Sequence, residues 1–294
     1  MGTALYSTGA REVRANDCRL DSRSAPPAKS AALRRMDVDR ASVMTALQSE
    51  VKLERYVSLS RSPRYSLVFA LPLLVLYECL TIATTNATGG MRNGADVLLQ
   101  ELWHSIAGPM GPLIFSALLL VYVMFLVVRD LRRNAGGLRF RVFVTMLAES
   151  ALLAALFGMV VGAITARLVA TALPLALGPL DRVGFPAALA LSLGAGLYEE
   201  LLFRVLLVGA LMAAARLVFG AGPRASRVFA VVVSAVIFSA FHYVGPYGDT
   251  LVLSSFVFRA IAGLAFSGLY VTRGFGITAW THAFYDIFLL IARS

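Results

Sequence analysis

Leu193-Gly-Ala-Gly-Leu-Tyr-Glu-Glu-Leu-Leu-Phe-Arg204-Val-Leu-Leu places three charged residues inside an apolar run long enough to cross a bilayer. On insertion scales a carboxylate or guanidinium near the bilayer centre costs roughly 2.5 to 3.5 kcal/mol, so an intramembrane ionisable cluster reads as a functional site with a partner close by. On an α-helix Glu200 and Arg204, four apart, share a face, whereas Glu199 is turned about 100° from its neighbour. The spacing predicts that Glu200 and Arg204 neutralise each other and that Glu199 faces a cavity.

The rest of the chain has the same apolar character. Of its 294 residues 58% are hydrophobic and 15% charged, and the mean hydropathy is +0.74. Several runs have membrane-spanning length, which predicts an all-α, polytopic transmembrane helical bundle of about seven spans (roughly six to eight) with an additional interfacial amphipathic helix. The formal charge of +10 does not argue for a nucleic-acid partner. The basic residues gather in the N-terminal tail and in short loops between apolar runs, as the positive-inside pattern requires. Cys18 and Cys79 form no CxxC pair and lie in different environments, so neither a disulfide framework nor a cysteine metal site is expected.

Three regions follow. Residues 1–62 are polar and rich in Arg, Ser and Asp, and they lack the apolar core of a cleavable signal peptide. They read as a disordered cytoplasmic tail, with Asp37 to Leu53 able to form a short surface helix and with Met36 and Met44 open as later starts. Residues 63–140 carry the first spans. One runs from about Tyr65 to Ala83 and contains Glu78, and another from Pro112 to Val128 ends in the basic stretch Arg129 to Arg141. Between them Asp96 to Ala107 reads as the interfacial helix. It holds Glu101-x-x-His104, a spacing used by carboxylate-bridged metal sites, but no second Glu-x-x-His accompanies it, so His104 is taken as interfacial.

Residues 141–294 are the expected catalytic core. A span from Val142 contains Glu149, and the apolar pattern breaks at Pro174 and Gly178-Pro179. The Glu-Glu helix runs from about Pro186 to beyond Ala214, followed by Arg216, Arg224 and Arg227. Val228 to Val244 contains Phe238-Ser-Ala-Phe-His242, Leu251 to Val271 forms the next span, and Ile277 to Ile291 contains His282-Ala-Phe-Tyr-Asp286. The N-terminus and the Arg129 to Arg141 loop are expected on the cytoplasmic side.

The chain has three histidines, and two of them fall in apolar spans downstream of the Glu-Glu helix. Each is costly in lipid, and the cheapest arrangement gathers them with the free carboxylate and Asp286 around water. Glutamate, histidine and water make hydrolytic chemistry: Glu199 accepts a proton from water, one His shares or polarises that water, and the other stabilises the oxyanion. No Ser or Cys nucleophile sits in a recognisable elbow. No cofactor is required, yet zinc is possible, with His242, His282 and either Glu199 or Asp286 as ligands. A proton- or ion-coupled transporter is the alternative from another class, and a non-catalytic scaffold or immunity protein is a third.

Glu199-Glu200-x-x-x-Arg204, Phe238-x-x-x-His242 and His282-x-x-x-Asp286, in this order on three apolar helices, resemble the three-motif signature of the CPBP intramembrane proteases. That is the CAAX-processing and bacteriocin-processing group, which includes the Rce1-type prenyl endopeptidases. The resemblance covers roughly residues 140 to 292. It implies an endopeptidase in which Glu199 and His242 activate water while His282 and Asp286 occupy the positions assigned to oxyanion stabilisation. Phe238, Glu200 and Arg204 are supporting residues. Rce1-type enzymes carry Asn where this chain has Asp286, and an ionised Asp cannot donate to an oxyanion. The implied substrate is a peptide or protein, membrane-anchored proteins included, and the implied location is a bacterial plasma membrane.

Overall fold

Proline and glycine mark where the helices of this chain start and stop. Proline stands in the first turn of the helices that begin at Pro63, Gly111, Phe185 and Pro223, where its missing N–H is no loss and its fixed φ suits the helix. Gly89 and Gly220 close two helices in the left-handed conformation, at φ 66° and 61°, which a side chain would disfavour. The computed structural model describes residues 44, 48–134, 136–169, 183–245 and 248–292.

The helices in order are α1 (residues 48–61), α2 (Pro63–Thr88), α3 (Gly94–Ala107), α4 (Gly111–Arg133), α5 (Phe140–Val169), α6 (Phe185–Gly194), a π-helical segment (Ala195–Leu207), α7 (Val208–Phe219), α8 (Pro223–Phe241), α9 (Leu253–Arg273) and α10 (Phe275–Ile291). No strand occurs among the described residues. Six helical stretches are long and apolar enough to cross a membrane: Pro63–Asn86, Gly94–Arg133, Phe140–Val169, Phe185–Phe219, Pro223–Phe241 and Leu253–Arg273. The seventh expected span is α10, apolar but only 17 residues long. The protein is an all-helical integral membrane protein. The expected interfacial helix is α3, joined to α4 by a single 3-10 turn, Gly108–Met110.

Two units divide the chain, Met1–Lys52 and Leu53–Ser294. In the first, the described residues 44 and 48–52 are helical and exposed. Most of the expected polar tail, and the expected break at Pro174 and Gly178-Pro179, lie outside the described residues. Where the tail was expected to run on to residue 62, residues 53–61 are helical. Tyr56 donates to Glu149 Oε2 at 2.6 Å and Arg61 donates to the Val271 carbonyl at 3.1 Å, so tertiary contacts order a segment whose composition does not. Burial, and then the Glu149 carboxylate, push the Tyr56 hydroxyl well above the ordinary tyrosine range.

Arginines gather at one end of the second unit. Arg64 at the start of α2 donates to the carbonyls of Asn134 and Gly136 at 3.1 and 2.6 Å and pairs with Asp130 at 3.4 Å. Tyr65 accepts from the Arg139 amide at 3.0 Å. The start of α2 and the loop between α4 and α5 therefore share one end, together with the end of α9, where Arg273 forks onto both Glu149 oxygens at 2.6 and 2.7 Å. Connectivity places the α2–α3 and α8–α9 loops at the opposite end. Between the ends, α10 packs against α2, α5, α6, α9 and the π-helical segment. Tyr65, Phe69, Leu73, Tyr77, Met146, Leu197, Ile277 and Trp280 form the main apolar core there, and the Trp280 indole donates to the Phe69 carbonyl at 2.7 Å.

Candidate active site

Three elements supply the ionisable residues. The first is Ala195–Leu207, which winds as a π-helix rather than the α-helix its spacing predicts. Its i→i+5 bonding is rare and is found mostly at functional sites. Gly196 lets this segment lie directly on α10: a Cβ there would stand 2.4 Å from the Ala279 carbonyl oxygen and 2.7 Å from the Ala283 Cβ. That approach lays Glu199 and Glu200 beside His282, one residue short of Ala283. His242 is the residue that ends α8.

Hydrogen bonds fix which ring nitrogen of each histidine faces inward. His242 Nδ1 lies 2.9 Å from the Phe238 carbonyl oxygen. A carbonyl only accepts, so Nδ1 carries the proton and Nε2 of the neutral ring is left with its lone pair. His282 Nδ1 lies 2.7 Å from Glu200 Oε1 and is the donor by the same reasoning. Both Nε2 atoms then turn toward one atom, Glu199 Oε2, at 3.9 Å each. That oxygen is buried and receives no hydrogen bond from the described residues. Glu199 Oε1 accepts from the Asn93 side-chain amide at 3.0 Å.

Glu200 has two partners. Beside His282 it meets Arg204, with Oε2 3.2 Å from Nε and both side chains essentially inaccessible. The expected pair is present, and the same carboxylate also holds a histidine. The guanidinium of Arg204 stacks 4.3 Å from the Phe238 ring centre and 5.4 Å from that of Phe266, so aromatic faces complement the rest of its charge. Phe266 also stacks on the His282 ring at 4.5 Å. The carboxylate that bonds His282 is thus Glu200, not its helical neighbour Asp286, whose Oδ2 stands 3.8 Å from Nε2.

A zinc ion at about 2.1 Å from each of two tetrahedral ligands holds those ligands about 3.4 Å apart. The 3.9 Å separations are wider, and among the described residues no group of three or more His, Cys, Asp or Glu is placed to hold a metal. As placed, the donors do not close on zinc.

The remaining ionisable residues resolve by position. Glu101 and His104 are exposed on α3. Glu149 belongs to the arginine-rich end, on Arg273 and Tyr56. Glu78 pairs with Arg92 at 2.6 Å and accepts a long bond from Tyr198 at 3.4 Å. Arg92 also meets Asp96 at 2.5 Å. Burial works against the charge on Arg92, yet the Glu78 and Asp96 carboxylates outweigh it and hold its proton more tightly than usual. Sequence reasoning did not single out Asn93 or Phe266. Asn before Gly94-Ala-Asp96 is legible as a helix cap, but nothing in it points to a glutamate 106 residues on.

Residues 182–288 match a family model described as type II CAAX prenyl endopeptidase, Rce1-like. Glu199, Glu200, Arg204, Phe238, His242 and His282 all fall within that stretch, as does Asp286, whereas Asn93 does not. No curated protein and no solved structure matches the chain.

Proposed function

Because this chain belongs, through residues 182–288, to the Rce1-like CAAX protease family, we propose that it hydrolyses a peptide bond with water activated by Glu199 and His242. The observation that carries this reading is the convergence of two imidazole Nε2 atoms on one buried, unbonded oxygen, Glu199 Oε2, at 3.9 Å each. A polar separation of that size is the kind a water molecule bridges. Held between Glu199 Oε2 and the lone pair of His242 Nε2, a water loses its proton to Glu199 as its oxygen attacks the carbonyl carbon. His282 is held by its Nδ1–H on Glu200 Oε1, and when Nε2 is also protonated its N–H donates to the oxyanion that forms. When the tetrahedral intermediate collapses, the C–N bond breaks and Glu199 returns its proton to the leaving amine. Water and peptide are consumed, and a carboxylic acid and an amine are released. No step requires a metal.

The test is hydrolysis of a membrane-inserted peptide library by the purified protein in vesicles. Glu199→Gln keeps the shape and removes the base, with an expected loss of 10²- to 10⁴-fold in kcat. Exhaustive chelation should leave wild-type activity unchanged. Activity that vanishes with bound zinc and returns with it would transfer the water to a metal, and a fully active Glu199→Gln would end the reading altogether.

A further inference from the structure

We infer that Asn93, a residue outside the family-matched stretch, positions Glu199 by occupying one carboxylate oxygen and so leaving the other as the reacting atom. This inference rests on the hydrolytic reading of Glu199.

The orientation of the Asn93 amide is fixed by its own helix. Asn93 caps α3, its Oδ1 accepting from the Ala95 amide at 2.9 Å. A backbone N–H requires an oxygen opposite it, which forces the Nδ2 group to the other side, and there it donates to Glu199 Oε1 at 3.0 Å. One side chain thus joins the start of α3 to the reacting carboxylate. It cannot flip without leaving both the Ala95 amide and Glu199 Oε1 facing a like group.

A buried relay holds Asn93 in turn. Its backbone amide donates to the Tyr77 hydroxyl at 3.1 Å, and that hydroxyl donates to Asp96 Oδ2 at 2.7 Å. Asp96 also accepts from Arg92 at 2.5 Å and from Gln100 at 2.7 Å. The helix carrying Glu199 passes within touching distance: a Cβ on Gly194 would stand 2.5 Å from the Tyr77 ring and 2.9 Å from the Asn93 Cβ. Asn93 itself is 7% exposed. With Oε1 tied to Asn93, only Oε2 is left to face His242 and His282, so Asn93 decides the plane in which the carboxylate meets water. Asn93 acts through Glu199 and is a positioning residue.

Asp and Ser are both good helix caps, so Asn93→Asp and Asn93→Ser preserve the start of α3. Asp removes the donor at constant shape, and Ser is too short to reach Glu199. The expected result for each is a fall in kcat on the order of 100-fold, the scale of a misplaced reacting group, with KM little changed. Asn93→Ser should melt close to wild type. A residue that only capped α3 would give wild-type kcat in both variants, and that outcome overturns the inference. Should either variant fail to fold, Tyr77→Phe decides it, because it loosens the hold on Asn93 without touching Glu199. The inference expects a partial loss of kcat there, and wild-type kcat counts against it. Glu199→Gln measured alongside separates the two levels. If that variant is inactive while the Asn93 variants turn over normally, only the positioning role falls. If it is active, the hydrolytic reading falls first.

Discussion

Glu200 joins three roles in one buried side chain, since it neutralises Arg204, holds His282 Nδ1 and sits next to Glu199, the proposed base. Breaking a buried ion pair by removing one charge costs roughly 3 to 5 kcal/mol, because the partner is left uncompensated. Glu200→Gln is therefore expected to lower the melting temperature and, by loosening the His282 ring, to reduce turnover of whatever protein remains folded. Thermal melts and single-turnover assays in one detergent check both, and a variant as stable and active as wild type would refute the structural role. Half of this was legible in the sequence. The i,i+4 spacing points to Arg204, whereas the bond to His282 joins residues 82 apart and has no local signature. The same spacing logic makes Asp286 the natural partner of His282, and the structure gives that bond to Glu200.

The helices themselves were legible because each apolar run is bounded by Pro, Gly or Arg. What hydropathy could not reveal is the winding of Ala195–Leu207 as a π-helix. Every face of that segment is buried or apolar, so no periodicity distinguishes 3.6 residues per turn from a wider helix. Its close seat on α10 does have a mark, in Gly196. Gly196→Val would drive a side chain into the Ala279 carbonyl, and backbone cannot swing aside as a flexible side chain does. Overpacking of this kind costs typically about 1 to 3 kcal/mol. The expected outcome is a lowered melting temperature with a larger loss of activity, as Glu199 and His282 are levered apart. Gly162→Val in α5, where a Cβ would meet nothing within 4 Å, is the control, and equal effects in the two variants would remove the argument from close approach.

Across the whole molecule, basic residues at one end and the Asn93–Glu199–His242 cluster toward the other give the bundle polarity. The contacts of Arg64 and Tyr65 with the α4–α5 loop require the start of α2 and Asn134 to share a side of the membrane. Cysteines placed at Ser58 and Asn134 should react with the same impermeant reagent in sealed vesicles, and the positive-inside pattern predicts that this side is the cytoplasm. Opposite labelling would break the helix order on which the site depends. The sequence conveyed this polarity through its arginines, but it kept hidden that the N-terminal helices, beyond the family-matched residues 182–288, reach into the centre. A further consequence lies in the length of α10. Its 17 residues extend about 25 Å at 1.5 Å per residue, against a hydrocarbon core about 30 Å thick, and they carry His282 and Asp286. Lipid chain length is therefore expected to affect turnover, because thickness mismatch costs fractions of a kcal/mol per Å and is relieved by tilt or thinning. Hydrolysis in vesicles of short-chain phosphatidylcholine should outpace that in long-chain vesicles of equal protein content, and a flat dependence would mean that the longer neighbouring helices alone set the thickness the bilayer adopts around the site.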